Sequence, residues 1–216
     1  MKKIICLFVC LFVFGNANAS PILNTSNFIS AANRTNFNGF ENIPNDGTFF
    51  TGGSGPYTED SIKVEQINPD AGNDIWLTLG SMEGAFSWYP NGGDNGYTQI
   101  SLADGTDFSA IELIFRSYSV GNVRYSLWDD GVSVLDGFLA SSNSLLGTIG
   151  FEGGGFDQVL LRSGTSGSDF FSGEHQALQI DSIELAGAAS VPEPTSLALL
   201  GLGLAGLGFS RKKKTA

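Results

Sequence analysis

The thirty residues from Ala110 to Leu139, AIELIFRSYSVGNVRYSLWDDGVSVLDGFL, decide the fold. Ile111, Leu113 and Phe115 alternate with Glu112 and Arg116. Successive side chains of an extended chain point to opposite faces, so this pattern describes a strand with one buried face. Val123, Tyr125 and Leu127 repeat it a few residues later. Asp129-Asp130-Gly131 then separates that run from the next apolar one, which begins at Val132. Asp-Gly tolerates the positive φ that a tight hairpin needs, so these two runs should pair antiparallel.

Working outward, short β-branched or aromatic runs alternate with Gly, Asn and Asp turns along the whole middle of the chain. The pattern predicts strands over 36–41, 61–66, 74–79, 97–102, 110–118, 122–128, 132–139, 156–162 and 178–185. The one helix signal is short, with Ser26 as a cap for Asn27–Ala32. Nine short strands with turns between them describe an all-β domain, an antiparallel β-sandwich of jelly-roll-like form. The last strand breaks phase. Leu178 and Ile180 share one parity, Ile183 and Leu185 the other. A bulge at Asp181-Ser182 would re-aim the chain and turn the Asp181 carboxylate toward a loop, unless the strand is simply buried on both faces.

The ends of the chain read differently. Lys2 and Lys3, an apolar run from Ile4 to Phe14 and the small residues Ala17-Asn18-Ala19 follow the grammar of a secretory signal peptide. Signal peptidase cleavage is expected after Ala19, and a lipoprotein site at Cys10 is disfavoured by bulky Val9 before it. Cys6 and Cys10 are the only cysteines, so the mature domain carries no disulfide and no thiol chemistry. The domains expected are a signal peptide at 1–19, a β-sandwich at 20–186, a small-residue tether at 187–191 and a C-terminal tail at 192–216. Of eleven Lys and Arg, six lie in the two ends; of twenty-two acids, only Glu193 does. Five basic and twenty-one acidic residues remain, a net of −16, which disfavours nucleic acid and anionic membrane as partners.

The tail has three parts. Val191-Pro192-Glu193-Pro194 opens it, an apolar Gly- and Leu-rich run follows from Ser196 to Phe209, and Arg211-Lys212-Lys213-Lys214 closes it. The prolines lack amide donors and resist helix, so the triplet should be extended. Fourteen residues of helix reach roughly 21 Å. That is short of a bilayer core of roughly 30 Å, but snorkelling basic stems and local thinning permit a short hydrophobic helix to insert. The basic cluster should stay cytoplasmic. This arrangement resembles the PEP-CTERM tail of Gram-negative envelope proteins. The resemblance implies export, a precursor held in the inner membrane and processing by an exosortase. The product would then reside in the periplasm, on the outer surface or in the extracellular matrix of a biofilm.

A second resemblance covers two short segments. Asn38-Gly39-Phe40-Glu41 and Leu178-Gln179-Ile180-Asp181-Ser182-Ile183 are similar to the terminal strands of carbohydrate-binding-module-like jelly rolls. The resemblance implies a structural calcium ion shared by Glu41 and Asp181. Ser182 departs from the second acid usual there, and calcium takes about six to eight oxygens, so other groups would have to complete the shell. Solvated or hydrogen-bonded acids are the alternative. No other cofactor is implied. Asp70–Asp74 and Asn91–Gly96 lack the spacing of a calcium loop and read as turns.

Trp88 and Tyr89 precede that second turn and Tyr97 follows it. Aromatic rings beside Asp94 and Asn95 suit sugar recognition, since a ring stacks on a pyranose while polar groups bond its hydroxyls. The same rings would equally serve to cover the core beneath a long loop. Catalytic signals are weak. His175 is the only histidine, no serine sits in a G-x-S-x-G elbow and no zinc motif occurs. No catalytic residue is therefore expected. Three readings stand: a non-catalytic envelope or matrix protein associated with exopolysaccharide, a specific carbohydrate-binding adhesin module, and a glycan hydrolase using a carboxylate pair.

Overall fold

A computed structural model describes residues 20–42, 56–68, 75–77, 82–90, 96–117, 121–141, 145–164, 170, 175–176 and 178–187. The expected signal peptide, most of the expected tether and the whole tail lie outside these residues, as do the turns expected at 70–74 and 91–96, all but Gly96, with Asp94 and Asn95. Fourteen strands form among the described residues: β1 (Ile22–Asn24), β2 (Arg34–Asn38), β3 (Tyr57–Glu59), β4 (Ile62–Ile67), β5 (Ile75–Leu77), β6 (Trp88–Pro90), β7 (Tyr97–Leu102), β8 (Phe108–Ser117), β9 (Gly121–Asp129), β10 (Val132–Ser141), β11 (Leu145–Phe156), β12 (Gln158–Gly164), β13 (His175–Gln176) and β14 (Leu178–Gly187).

They make two antiparallel sheets of seven strands each. The first runs β1-β11-β8-β14-β6-β5, with β2 also on β14; the second runs β10-β9-β12-β7-β4-β3, with β13 on β12. The chain changes sheet at most connections. Among the described strands, only β3–β4, β5–β6, β9–β10 and β12–β13 are neighbours in both sequence and sheet. Asp130 (φ 48°) and Gly131 (φ 78°) form the two-residue turn between β9 and β10, with Val132 opposite Asp129. This is the primed hairpin geometry that Asp-Gly favours.

The inward-facing residues are those the alternation selects. Ile111, Leu113 and Phe115 of β8 meet Val123, Tyr125 and Leu127 of β9, with Ile149 and Phe151 from β11 and Val159 and Leu161 from β12. Phe108 packs edge-on against Phe156 at 4.8 Å. Fully burying such a side chain contributes about 1.5–3 kcal/mol, so this core supplies most of the drive to fold.

Two expectations need correction. The segment from Asn27 to Ala32 is not helical. The amides of Phe28 and Ile29 donate instead to Glu112 Oε2 at 2.6 and 3.0 Å, and Thr148 Oγ1 donates to Asn27 Oδ1 at 3.0 Å. Six residues are too few to hold a helix alone, and a buried carboxylate offers two consecutive amides a better acceptor. The predicted strand over 156–162 is in fact the end of β11 and most of β12, in different sheets. The chain crosses at Asp157, whose amide donates to the Trp128 carbonyl at 2.9 Å.

Candidate functional site

Alternation gives the second sheet an outward face opposite the core. β9 presents Arg124, Ser126 and Trp128 there, β12 presents Gln158, Leu160 and Arg162, and β7 presents Tyr97 and Gln99. Register aligns them in rows. Arg162 lies opposite Arg124, Leu160 opposite both Ser126 and Gln99, and Gln158 opposite Trp128. The Trp128 indole N–H donates to Ser126 Oγ at 2.7 Å. Gln99 Nε2 donates to Glu65 Oε1 at 3.3 Å, and that carboxylate also pairs with Lys63 at 2.8 Å. Phe170 lies over this face: the Arg162 guanidinium sits 4.8 Å from its ring centre, and Tyr97 meets it edge-on at 5.6 Å. Burial pushes the Tyr97 phenol above its ordinary value. On the edge strand β10, opposite Arg124, Phe138 remains 60% exposed. The centre of this face is closed, since Arg124, Ser126, Leu160, Arg162 and Phe170 are all buried. The half-buried rings of Tyr97 and Trp128 and the amides of Gln99 and Gln158 remain at its margins, where a ring can stack on a sugar and an amide bond its hydroxyls.

The expected aromatic platform does not assemble as a unit. Trp88 is a core residue, 1% exposed, stacked on Phe40 with ring centres 6.2 Å apart. Its indole N–H donates to Thr98 Oγ1 at 3.1 Å, so both ring and donor are spent internally. Tyr89 follows Trp88 on β6 and takes the opposite parity, on the outside of the first sheet. Tyr97 belongs to the outer face of the second. The two tyrosines are thus on opposite sides of the sandwich. Trp128, Arg124, Arg162 and Phe170 carry the second sheet's face and were not singled out from the sequence. The parity of Asn122, Arg124, Ser126 and Trp128 along β9, opposite that of Val123, Tyr125 and Leu127, was the available signal for two of them, Arg124 and Trp128.

Glu41 and Asp181 are brought to one loop from two sides. Glu41 Oε1 accepts the amides of Ala85 and Phe86 at 2.6 and 3.1 Å. Asp181 Oδ2 accepts those of Met82 and Glu83 at 3.0 and 2.9 Å, and its Oδ1 accepts the Ser182 amide at 2.8 Å. The phase break in β14 creates this geometry: the register shifts between Asp181 and Glu184, and Ser182 takes a φ of 49°. Asp181 is fully buried. Burial pushes its carboxyl up to about 6, against the pull of the three amides, and the neighbouring Glu83 charge adds to the rise. The Ser182 hydroxyl donates to the Glu83 carboxylate. A calcium ion needs lone pairs directed at it. Here the loop turns N–H donors toward both acids, a donor set that suits carboxylates and not a cation. Among the described residues no group of three or more His, Cys, Asp or Glu side chains is placed to hold a metal.

Comparison with known proteins gives one family match and several structural likenesses. Residues 190–212 match the PEP-CTERM protein-sorting motif. The span contains Val191, Pro192, Glu193, Pro194, Arg211 and Lys212, with Lys213 and Lys214 just beyond it. It marks the chain as an exported protein sorted by an exosortase. No curated protein matches the chain. Among solved structures, the chain is similar to a mutant of the family 29 carbohydrate-binding module CBM29-2 complexed with mannohexaose. The two share 11% identity with a TM-score of 0.38, over 62% of this chain and 87% of that one. A CBM29-2 mutant complexed with cellulohexaose shares 10% identity with a TM-score of 0.40, over 79% and 94%. The family 32 module from C. perfringens NanJ in complex with galactose shares 11% identity with a TM-score of 0.35, over 56% and 93%. Among the described residues no helix is long and apolar enough to cross a membrane.

Proposed function

We propose that this chain is a non-catalytic protein of the cell envelope or extracellular matrix, processed by an exosortase from an inner-membrane precursor and associated with exopolysaccharide. The observation that carries the reading is the sorting motif at 190–212, placed directly after the last strand of a sandwich that ends at Gly187. The acidic surface supports a neutral or cation-bridged polymer as the associate, since like charges repel polyanions. The outer face of the second sheet supports the more specific alternative, a carbohydrate-binding adhesin module, with Tyr97, Trp128 and Gln99 against the saccharide.

The test is the intact mass of the protein from its native host, with and without the exosortase. A mature C-terminus near Pro192–Pro194 that depends on the enzyme supports the reading. A full-length C-terminus in both strains sinks it. Deleting Arg211–Lys214 should leave an unprocessed or mislocalised precursor, because the stop-transfer charge is lost. For the adhesin alternative, retention on exopolysaccharide isolated from the host should fall on Trp128→Ala and Tyr97→Ala.

A further inference from the structure

We infer that the corner of the sandwich between Glu41 and Asp181 is locked by main-chain amides, not by calcium, so that this corner holds its loop without a metal. The loop from Met82 to Phe86 presents two pairs of consecutive amides. The first pair, Met82 and Glu83, binds Asp181 Oδ2; the second, Ala85 and Phe86, binds Glu41 Oε1. Gly84 stands between the pairs with a φ of 68°, the left-handed conformation that lets the chain reverse between them. A Cβ there would collide with Glu41 Oε1, so the carboxylate closes directly on the loop backbone and leaves no room for an ion between them.

Consecutive amides presented by a turn form a concave positive surface that binds anions. A cation in the same place would face the positive ends of four N–H dipoles. Both Asp181 oxygens already accept, Oδ2 from the loop and Oδ1 from the Ser182 amide. Ser182 stands where the resembling pattern has a second acid, and its hydroxyl donates to Glu83 instead of offering a carboxylate. Each departure from a calcium shell is therefore matched by a hydrogen bond that replaces it.

The device recurs in this chain. Glu112 Oε2 takes the consecutive amides of Phe28 and Ile29 in the same way, on the outside of the first sheet. An acid-rich, base-poor domain has few side-chain cations to spend, and two salt bridges, Arg34–Glu184 and Lys63–Glu65, are found among the described residues. Buried carboxylates must be paired or hydrogen-bonded, and the backbone supplies the donors.

The experiment is thermal unfolding of the processed protein isolated from its host, in EDTA and in excess calcium chloride, with calorimetric titration of calcium chloride alone. The expected result is the same midpoint in both buffers, no binding heat, and slow amide exchange at Met82, Glu83, Ala85 and Phe86 in EDTA. A calcium-dependent rise in midpoint that Glu41→Gln and Asp181→Asn abolish would overturn the inference. So would fast exchange of those four amides in EDTA that calcium slows. A calcium response that survives both substitutions, with the four amides protected in EDTA, places the ion elsewhere and upholds the amide lock.

Discussion

The indole N–H of Trp88, on the first sheet, donates across the core to Thr98 Oγ1 of the second at 3.1 Å. Thr98 Oγ1 in turn donates to Gln66 Oε1 at 3.2 Å. This buried polar ladder ties the sheets together and fixes their relative placement. Thr98→Val removes the acceptor and strands the indole donor. The expected loss of stability is about 1–3 kcal/mol, the cost of a buried unsatisfied group, measured by chemical denaturation. Trp88→Phe should cost stability without changing retention on exopolysaccharide; a selective binding loss would return Trp88 to the ligand surface.

Glu112 anchors the irregular segment before β2. Glu112→Ala should lower stability by about 1–3 kcal/mol and speed amide exchange at Phe28 and Ile29, since both donors lose their acceptor. The ring of Phe28 also sits over Gly150, where a Cβ would lie 2.7 Å from the Ile111 carbonyl. Gly150→Ala should therefore displace the same segment, read as new protease sensitivity near residues 25–33.

Asp181 makes stability depend on pH. Burial pushes its carboxyl in the folded protein up to about 6, above the ordinary aspartate range. The folded state thus binds the proton more tightly than the unfolded chain, and stability rises as pH falls from above 6 toward 4. Asp129 and Asp157 are raised too, mainly by burial and then by neighbouring aspartates, and act in the same direction. The unfolding midpoint should be higher at pH 5 than at pH 7.5, and Asp181→Asn should flatten part of that slope. An unchanged slope in the variant would show that Asp181 titrates as an ordinary acid.

The hairpin between β9 and β10 depends on Gly131, whose φ of 78° is costly for any residue with a Cβ. Gly131→Ala should destabilise by about 1 kcal/mol or more. Gly105 has a φ of 74° and open space around it, so Gly105→Ala tests the conformational cost alone.

On the outer face of the second sheet, Trp128→Ala and Tyr97→Ala should each weaken retention on exopolysaccharide by about 2- to 12-fold if the rings stack on sugar. Tyr89→Ala, on the opposite side of the sandwich, is the control and should leave retention unchanged.

Some of this was legible in the chain. The alternation of Ile111, Leu113 and Phe115 and of Val123, Tyr125 and Leu127 located β8 and β9 and their buried faces. Asp130-Gly131 located their neighbouring hairpin, and the parity change at Asp181-Ser182 located the bulge. The longest strand, β11, went unread because Gly147, Gly150 and Gly153–Gly155 mask its apolar alternation; Gly147 makes room for the ring of Phe115 and Gly150 for that of Phe28. The separation of Tyr89 from Tyr97 was equally hidden, since parity says which face of its own sheet a residue takes but not which sheet it joins.

By itself, then, the sequence determined strand periodicity, the hairpin, the charge imbalance and the sorting motif, because each is a local pattern read over a few residues. Which carboxylate meets which amide was decided by tertiary structure alone. Glu41 and Asp181 are 140 positions apart, and the loop at 82–86 comes between them only when two sheets close on one core. Their chemistry, amide lock or metal shell, depends on which way a backbone turns at Gly84 and Ser182, and residue identity does not specify that until the fold has placed both acids against it.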